Sequence, residues 1–243
     1  MTDEHLFLRR SDKMSEEREA LENTVQAQVT CPGCGQQASF DMYPMVNTQA
    51  NPEMKQAVRD RSAFTFVCPN CGEKTPIDYG FLYQQPEDSL IIHYVPDEQQ
   101  RDQIHKMLTD PDNEKVQTIK NAGYVLRLVP TQEGLLEKLA IFDAGLDDRI
   151  MEVYKLSTLS TLRKEKPELD IEKCDFLFFA DEEGKHWLQV LNDNKPYGTI
   201  GFNDKAYWSI AGDFVGILPD LNQEDPVVNR ETAMELMKKM GGR

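Results

Sequence analysis

Residues 31–35 read CPGCG, and residues 68–72 repeat the pattern as CPNCG. Two residues between paired cysteines allow both sulfur atoms to reach one metal ion from a tight turn. The proline in each copy fixes φ within that turn and removes a backbone donor, and the final glycine, Gly35 or Gly72, tolerates a positive φ. Backbone N–H groups can then turn toward the sulfur atoms and stabilise thiolate charge. Each copy therefore predicts a metal-binding turn, which we call a knuckle.

Two knuckles on neighbouring hairpins predict a zinc ribbon with one metal ion per chain. Structural zinc is commonly bound by four thiolates in a tetrahedron, at Zn–S distances of about 2.3 Å. Such a site has no vacant position for the reactive water of metal-dependent hydrolysis, so the expected role of the ion is structural. Iron also accepts four thiolates and is the alternative metal. The predicted ligands are Cys31, Cys34, Cys68 and Cys71.

Each Cys-X-X-Cys pair also has a redox interpretation. In thioredoxin-like proteins the first cysteine begins a helix whose N-terminus lowers the pKa of the thiol. Here a glycine follows the second cysteine and strand-like sequence flanks both pairs, so no helix is expected to start at the thiols. This context favours metal binding over redox catalysis. A zinc–thiolate site that releases its ion on oxidation stays open as an alternative.

The composition indicates a folded globular chain with an acidic surface. The 243 residues are 40% hydrophobic and carry a formal net charge of −15, with a pI near 4.7. Such a surface repels phosphate backbones and anionic lipids at long range, and basic residues do not interleave with aromatic residues near either knuckle. Nucleic acid and membranes are therefore not expected as partners.

The cysteine count and the apolar segments indicate the compartment. Five cysteines are an odd number, with four in two tight pairs and Cys174 alone before the apolar stretch DFLFFA, where a buried thiol is expected. The first residues contain no apolar run long enough for a secretory signal, and the sequence has no stretch near the ~20 apolar residues of a membrane span. We therefore expect a cytoplasmic location, where thiols stay reduced.

Hydrophobic periodicity predicts an α+β protein in four segments. Residues 1–24 are expected to form a flexible arm, and residues 25–110 a β-rich zinc ribbon with one inserted helix, opened by Asn51-Pro52. Residues 111–166 are expected to hold a strand and a central helical segment. Residues 167–243 are expected to form a C-terminal α/β portion.

Three stretches depend on shorter signals. A second central helix is predicted to start at Asp143. The stretch AYWSIAGDFVGIL (206–218) stays ambiguous, because its apolar spacing suits a helix while Gly212 and Gly216 disfavour one. The stretch DYGFLY (78–83) is expected to pack inside the protein, with a peptide-binding surface as the alternative.

Acidic residues cluster in GLDDRIME (145–152), where Asp148 and Glu152 share one helical face. A divalent-cation or general-acid site is one interpretation of Asp147, Asp148 and Glu152. Acids in a first helical turn also complement the macrodipole, and no histidine stands at matching spacing, so a structural role is favoured. The chain has no GxSxG, phosphate-loop or dinucleotide motif. Metal-site spacing is also lacking among the histidines, which are His5, His93, His105 and His186.

The two Cys-Pro-X-Cys motifs resemble those of the CpXC family, which is named after them. The resemblance covers about residues 25–110. In addition, GYVLRLV (123–129) and EKLAIFDAGLDDRIMEVYK (137–155) are similar to the region that accompanies this domain in longer bacterial members. The resemblance implies the zinc-ribbon-like architecture and no established enzymatic activity. The residues that carry the motifs are Cys31, Pro32, Cys34, Cys68, Pro69 and Cys71.

Together, these features predict an intracellular zinc-binding protein that acts as a binding or scaffolding module. Its expected partner is an unidentified protein. Two alternatives stay open. One is a zinc–thiolate redox switch, and the other is an enzyme with an unidentified site in the C-terminal half, around Asp148 and Glu152. No catalytic residue is assigned.

Overall fold

The fold combines helices with several small β-sheets, which confirms the predicted α+β class. The structure is a computed structural model and describes residues 24–241. The arm predicted at residues 1–24 lies outside the described residues, apart from Thr24. Within the described part of the chain, no helix is long and apolar enough to cross a membrane.

Close contacts between residues divide the chain into two units. Among the described residues, the first unit contains residues 24–104 and 121–130, and the second contains residues 105–120 and 131–241. The segment boundaries predicted from the sequence stay predictions, and the units follow tertiary contacts that cross them.

Two short antiparallel hairpins carry the knuckles of the first unit. Strands β1 (Val25–Thr30) and β2 (Gln37–Met42) pair on either side of the first knuckle. Strands β4 (Thr65–Val67) and β5 (Lys74–Pro76) pair on either side of the second. Each hairpin is a two-stranded sheet of its own. The strand-like sequence around both cysteine pairs therefore forms the strands that it predicts.

A four-stranded sheet supplies the remaining strands of the first unit. They are β3 (Met45–Asn47), β6 (Phe81–Gln85), β7 (Leu90–Tyr94) and β8 (Val125–Val129), in the order β3-β6-β7-β8. Strands β6 and β7 are antiparallel, whereas β3 runs parallel to β6 and β8 runs parallel to β7. Strand β8 lies in the predicted 111–166 segment, so it completes a sheet whose other strands lie in the predicted ribbon segment.

Three helices lie between these strands in the sequence. Helix α1 (Pro52–Arg59) starts at the proline, as predicted, and buries Met54 and Val58. Helices α2 (Glu98–Thr109) and α3 (Glu114–Asn121) are separated by a short polar turn. The boundary between the two units falls inside α2.

Aromatic rings from the DYGFLY stretch pack inside the first unit, as expected. Phe81 and Tyr83 are buried. The ring of Tyr79 lies 5.5 Å from that of Phe64 and 6.3 Å from that of Phe40 on β2, measured between centroids. Tilted and edge-on pairs of this kind contribute about 0.5–1.5 kcal/mol beyond their buried area. The stretch thus joins the first hairpin to the sheet instead of forming a free peptide-binding surface.

The second unit contains a three-stranded antiparallel sheet. Its strands are β9 (Cys174–Ala180), β10 (His186–Asn192) and β11 (Lys195–Gly201), in the order β11-β10-β9. Side chains alternate between the two faces of a strand, and Phe176 and Phe178 of β9 point to the core, where both are buried.

Four helices accompany this sheet: α4 (Gln132–Asp143), α5 (Asp148–Glu165), α6 (Asp204–Asp213) and α7 (Arg230–Gly241). Helix α4 packs against β9, and α5 packs against both α6 and α7. Apolar side chains from all four helices and from the sheet share one core.

The prediction that a helix starts at Asp143 is wrong, because α5 starts at Asp148. Asp147 is the N-cap, and its side chain accepts a hydrogen bond from the Arg149 N–H at 2.9 Å. An N-cap acceptor satisfies one of the free N–H groups of the first turn. The acidic residues therefore mark the true start of the helix.

A glycine ends the preceding helix and produces this shift. The N–H of Gly145 donates to the Phe142 carbonyl, and the N–H of Leu146 donates to the Ile141 carbonyl. This pair of bonds is the Schellman ending of a helix, in which the glycine adopts a left-handed conformation. Gly145 has φ of 68°, which glycine adopts without a steric penalty.

The ambiguous stretch 206–218 forms most of α6 and the turn that follows it. The Asn203 side chain caps the helix by accepting from the Ala206 N–H. Gly212 lies inside the helix, whereas Gly216 lies beyond it with φ of 73°. The cap supplies the start signal that the apolar spacing alone does not.

The acidic residues around the start of α5 are paired with lysines inside the second unit. Lys138 Nζ lies 2.8 Å from a carboxylate oxygen of Asp148, and both side chains are buried. Lys155 Nζ lies 2.7 Å from Glu137 and 2.8 Å from Glu152. Buried charges are tolerated when they are paired and hydrogen-bonded. The geometry thus gives Asp148 and Glu152 a structural role.

Backbone groups complete the same network. The Phe178 N–H donates to Glu137 Oε1 at 2.7 Å, and Lys138 Nζ donates to the Val228 carbonyl at 3.0 Å. Burial raises the pKa of Glu137, and, against the effect of burial, the carboxylates beside Lys155 raise the pKa of its ammonium group. The network therefore ties α4 and α5 to strand β9 and to the segment before α7.

We expect Lys155→Met to lower the free energy of unfolding by about 3–5 kcal/mol, because it leaves two buried carboxylates without their cation. Urea denaturation measures the change. The control is Lys164→Met on the exposed face of the same helix, which should change stability by no more than about 0.5 kcal/mol. Equal effects of the two substitutions would show that the buried ion pairs of Lys155 contribute nothing special to the free energy of unfolding.

His93 makes the first unit sensitive to acid. It lies on β7 opposite Leu82 of β6 and Leu128 of β8. Burial lowers its pKa to about 4, from an ordinary value of 6.5. Below the ordinary value the unfolded chain takes up a proton that the folded chain does not bind, so stability falls as the pH drops.

Between about pH 7 and about pH 5, His93 should therefore contribute a loss of up to about 2 kcal/mol in unfolding free energy. In His93→Gln, which cannot titrate in this range, the loss between the two pH values should be smaller by that amount. Urea denaturation of both proteins at each pH compares the slopes. Parallel pH dependence would show that another group is responsible.

Candidate metal centre

The two knuckles have the same backbone structure. In the first, the Cys31 N–H donates to the Gln36 carbonyl and the Gly35 N–H donates to the Cys31 carbonyl, both at 2.9 Å. In the second, the Cys68 N–H donates to the Glu73 carbonyl and the Gly72 N–H donates to the Cys68 carbonyl, also at 2.9 Å. The repeated sequence therefore forms a repeated turn.

Glycine is required at the end of each turn. Gly35 has φ of 72° and Gly72 has φ of 76°, as the sequence predicts. In this conformation the backbone N–H two residues after the second cysteine faces its sulfur. The N–H of Gln36 bonds Cys34, and the N–H of Glu73 bonds Cys71. Hydrogen bonds of this kind favour the thiolate form that binds metals.

The two knuckles bring four sulfur atoms together. All four Sγ atoms lie within 4.8 Å of one another. The Sγ atoms of Cys31 and Cys71 are 3.6 Å apart, and those of Cys34 and Cys68 are 3.7 Å apart. Thiolates at about 2.3 Å from a tetrahedral zinc ion lie about 3.8 Å from each other, whereas disulfide sulfurs are about 2.0 Å apart. The spacing therefore fits four ligands of one ion.

Each knuckle buries its first cysteine and exposes its second. Cys31 and Cys68 are 1% and 2% exposed and pack against Phe66, which is also buried. Cys34 and Cys71 are exposed. The small apolar cluster around the buried pair is completed by Val29, Ala38, Phe40 and Ile77. The centre thus has an apolar inner side and a solvent-facing outer side.

The thiols influence one another strongly. The Asn70 side-chain amide donates to Cys34 Sγ at 3.5 Å and, with the Gln36 N–H, lowers the pKa of Cys34 to about 6. A backbone hydrogen bond from Glu73 favours the thiolate of Cys71, but the neighbouring Cys34 and Cys31 raise its pKa to about 12. Four thiolates at this spacing repel one another, so a cation is needed to hold all of them ionised.

The other candidate residues that the structure describes belong to the second unit or to other parts of the first. Cys174 is buried on β9 in the second unit, where the Asn192 amide donates to its sulfur. Asp148 and Glu152 belong to the buried network, and Asp147 pairs with Arg149 at 2.7 Å. Across residues 24–241, the four knuckle cysteines are the group of His, Cys, Asp and Glu side chains that could hold a metal ion. His5 lies outside those residues.

Sequence reasoning missed two features that the structure contains. One is Asn70, whose only signal is that the second motif has asparagine where the first has Gly33. The other is the pairing of Lys138 and Lys155 with buried acids. The sequence signal for this pairing is a lysine among leucines on one apolar helix face, as in Leu135, Lys138 and Leu139, all of which are buried.

Comparison with known proteins agrees with the site. Residues 29–155 match the sequence profile described as CpXC protein, which is just over half of the chain. No curated protein and no solved structure matches the chain. The matched region contains both knuckles, the four-stranded sheet, α4 and the first part of α5. The chain therefore belongs to the CpXC family.

Proposed function

We propose that the four knuckle cysteines bind one structural Zn²⁺ ion and that the protein works as a binding or scaffolding module. The observation that carries the first part is the sulfur spacing. Contacts of 3.6 and 3.7 Å join the knuckles, close to the edge of a zinc–thiolate tetrahedron. The fold thus presents the four ligands at the spacing that the ion needs.

The donor set favours zinc, with iron as the alternative. Thiolates bind both ions in tetrahedral sites. With four protein ligands, no coordination position is left for water or substrate, so the ion supplies structure and not catalysis. The chain's own residues do the rest: the glycine turns aim N–H groups at the sulfurs, and Phe66 shields the inner pair from water.

A structural ion suits the weak construction of the hairpins. Strands β4 and β5 have three residues each, and each hairpin is a separate two-stranded sheet. Isolated two-stranded hairpins are marginally stable in water. In small zinc domains the metal supplies about 10–16 kcal/mol of apparent folding free energy, which exceeds what the small cluster around Phe66 can provide.

The partner in this proposal is a cytoplasmic protein. Thiols stay reduced in the cytoplasm, as metal binding requires. The net charge of −15 disfavours nucleic acid and anionic lipid as partners. Partner recognition then falls to protein surfaces outside the metal, and the ion acts indirectly by holding the ribbon in shape.

The enzyme alternative has less support than the binding role. Asp148 is fully buried against Lys138, and Glu152 is bound to Lys155. The cavity beside Glu152 has a volume of about 10 Å³, which holds about one water molecule. A general acid must come within hydrogen-bond reach of its substrate, and this cavity does not admit one.

Purified from metal-free buffer, the chain should contain about one zinc ion, measured by mass spectrometry. Loss of a residue that only hydrogen-bonds a metal ligand weakens metal binding about 10–100-fold. Cys34→Ser removes a ligand itself, so it should weaken zinc binding by more than that. Cys174→Ser is the matched control and should bind zinc normally, with its serine hydroxyl replacing the sulfur as acceptor for Asn192. Equal zinc content in both variants, or none in the native chain, would refute the site.

If the ribbon recognises a protein, its capture should depend on the metal. Immobilised native chain and Cys174→Ser should retain the same protein from a bacterial extract, whereas Cys34→Ser should retain several-fold less. The reason is that unligated hairpins lose their fixed arrangement. Equal capture by Cys34→Ser would place the binding surface away from the ribbon.

A further inference from the structure

The cysteine contacts follow a pattern that metal binding alone does not require. Two sulfur contacts, of 3.6 and 3.7 Å, each join one knuckle to the other and an exposed sulfur to a buried one. Exposed Cys34 touches buried Cys68, and exposed Cys71 touches buried Cys31. The centre therefore contains two pairs, each with one sulfur open to solvent and one behind it.

We propose that the centre is a modification site for hydroperoxides, at which oxidation produces two disulfides across the knuckles, Cys34–Cys68 and Cys31–Cys71. The inference rests on the proposed zinc site, since it describes what the same sulfurs do on oxidation. Thioredoxin-like chemistry joins the two cysteines of one Cys-X-X-Cys turn. Here the connectivity differs, because the paired sulfurs belong to different turns.

The exposed sulfur of each pair reacts first. Its thiolate attacks one oxygen of the hydroperoxide, the O–O bond breaks, and a sulfenic acid forms. The other oxygen takes up a proton and leaves as water from hydrogen peroxide, or as an alcohol from an organic hydroperoxide. Cys34 and Cys71 are exposed, so the oxidant reaches both sulfurs without unfolding of the chain. The buried sulfurs have 1% and 2% exposure and are not directly accessible to the oxidant.

The buried sulfur then resolves the sulfenic acid. The thiolate of Cys68 or Cys31 attacks the oxidised sulfur, an S–S bond forms, and the sulfenic oxygen leaves as water with one proton. In forming each disulfide, the two thiolates give two electrons to one hydrogen peroxide, which becomes two waters with the two protons taken up. When both pairs have reacted, no thiolate remains among the four residues that would hold a zinc ion, so the site would lose its affinity for the ion.

Geometry favours the crossed product. The contacts of 3.6 and 3.7 Å must shorten to about 2.0 Å, a movement within the reach of side-chain rotation. The hydrogen bonds of each glycine turn remain in place during this change. Crossed disulfides also keep the hairpins together after the ion leaves, because they close loops across sequence separations of 34 and 40 residues.

The test treats zinc-loaded Cys174→Ser with hydrogen peroxide, follows zinc release with a coloured chelator, and blocks remaining thiols by alkylation. Trypsin then cuts after Lys55, Arg59 and Arg61 and so separates the knuckles into peptides 19–55 and 62–74. Non-reducing mass spectrometry reads the products. We expect the two peptides joined and four hydrogens lighter than their sum, with zinc released in proportion and both changes reversed by reductant plus zinc.

Three results would overturn the inference, two of them visible from peptide masses alone. One is a pair of separate peptides, each lighter by two hydrogens, which is the signature of disulfides within each knuckle. The other is a centre that keeps its thiols free under peroxide. Fragmentation between the two cysteines of each joined peptide assigns the pairs in the protein that keeps all four knuckle cysteines. A product linking Cys34 to Cys71 and Cys31 to Cys68 would likewise contradict the proposed connectivity.

Variants with two cysteines provide an independent measurement. Cys31→Ser/Cys71→Ser keeps the contacting pair Cys34 and Cys68, and Cys31→Ser/Cys68→Ser keeps the two exposed cysteines as the matched control. The first should cross-link several-fold faster than the second. Equal rates in two folded variants would overturn the proposal. If either variant fails to fold, the disulfide assignment by mass spectrometry in the protein with all four knuckle cysteines decides the question.

Zinc content before oxidation separates this inference from the proposed function. Zinc-loaded protein that forms disulfides within each knuckle would leave the structural site intact and refute the crossed pairing. Protein that binds no zinc yet forms the crossed disulfides would refute the zinc site and keep the pairing.

Discussion

The convergence of four sulfur atoms from two turns is the constraint on which the first unit depends. The turns are far apart in sequence, and each hairpin alone is too small to hold a fixed position. When the sulfurs meet within 4.8 Å, the segment between the knuckles becomes a closed loop. This segment contains β2, β3, α1 and β4. The aromatic residues around Tyr79 then attach this loop to the four-stranded sheet.

The second unit depends on a different constraint, the pairing of charges that have lost their water. Glu137, Lys155 and Glu152 form one connected set, and Lys138 with Asp148 forms another. Buried ion pairs of this kind are weak contributors to net stability, but breaking one is costly. They therefore disfavour other packings, because any arrangement of α4 and α5 against β9 that left one of these charges unpaired would be costly.

Local features of both units could be predicted from the sequence. The knuckles, their glycines and α1 depend on residues a few positions apart, which is the range over which turn and cap signals act. The start of α5 carried such a signal as well, because Gly145 and Asp147 mark an end and a cap. The crossed sulfur contacts and the partners of Asp148 depend on how distant elements pack, and no local pattern encodes that. Strand β8 illustrates the same limit, since its neighbour β7 lies in a different predicted segment.

The hydrogen bond from the Phe178 N–H to Glu137 has a consequence for the sheet edge. Strand β9 is the last strand of its sheet, and a free edge can recruit a strand from another molecule and begin aggregation. A carboxylate from α4 occupies one of the donors that such a strand needs. At the opposite edge, β11 begins with Lys195 and Pro196, a charged residue and one without an N–H. Both edge strands of the sheet are thereby protected against pairing with a strand of another molecule.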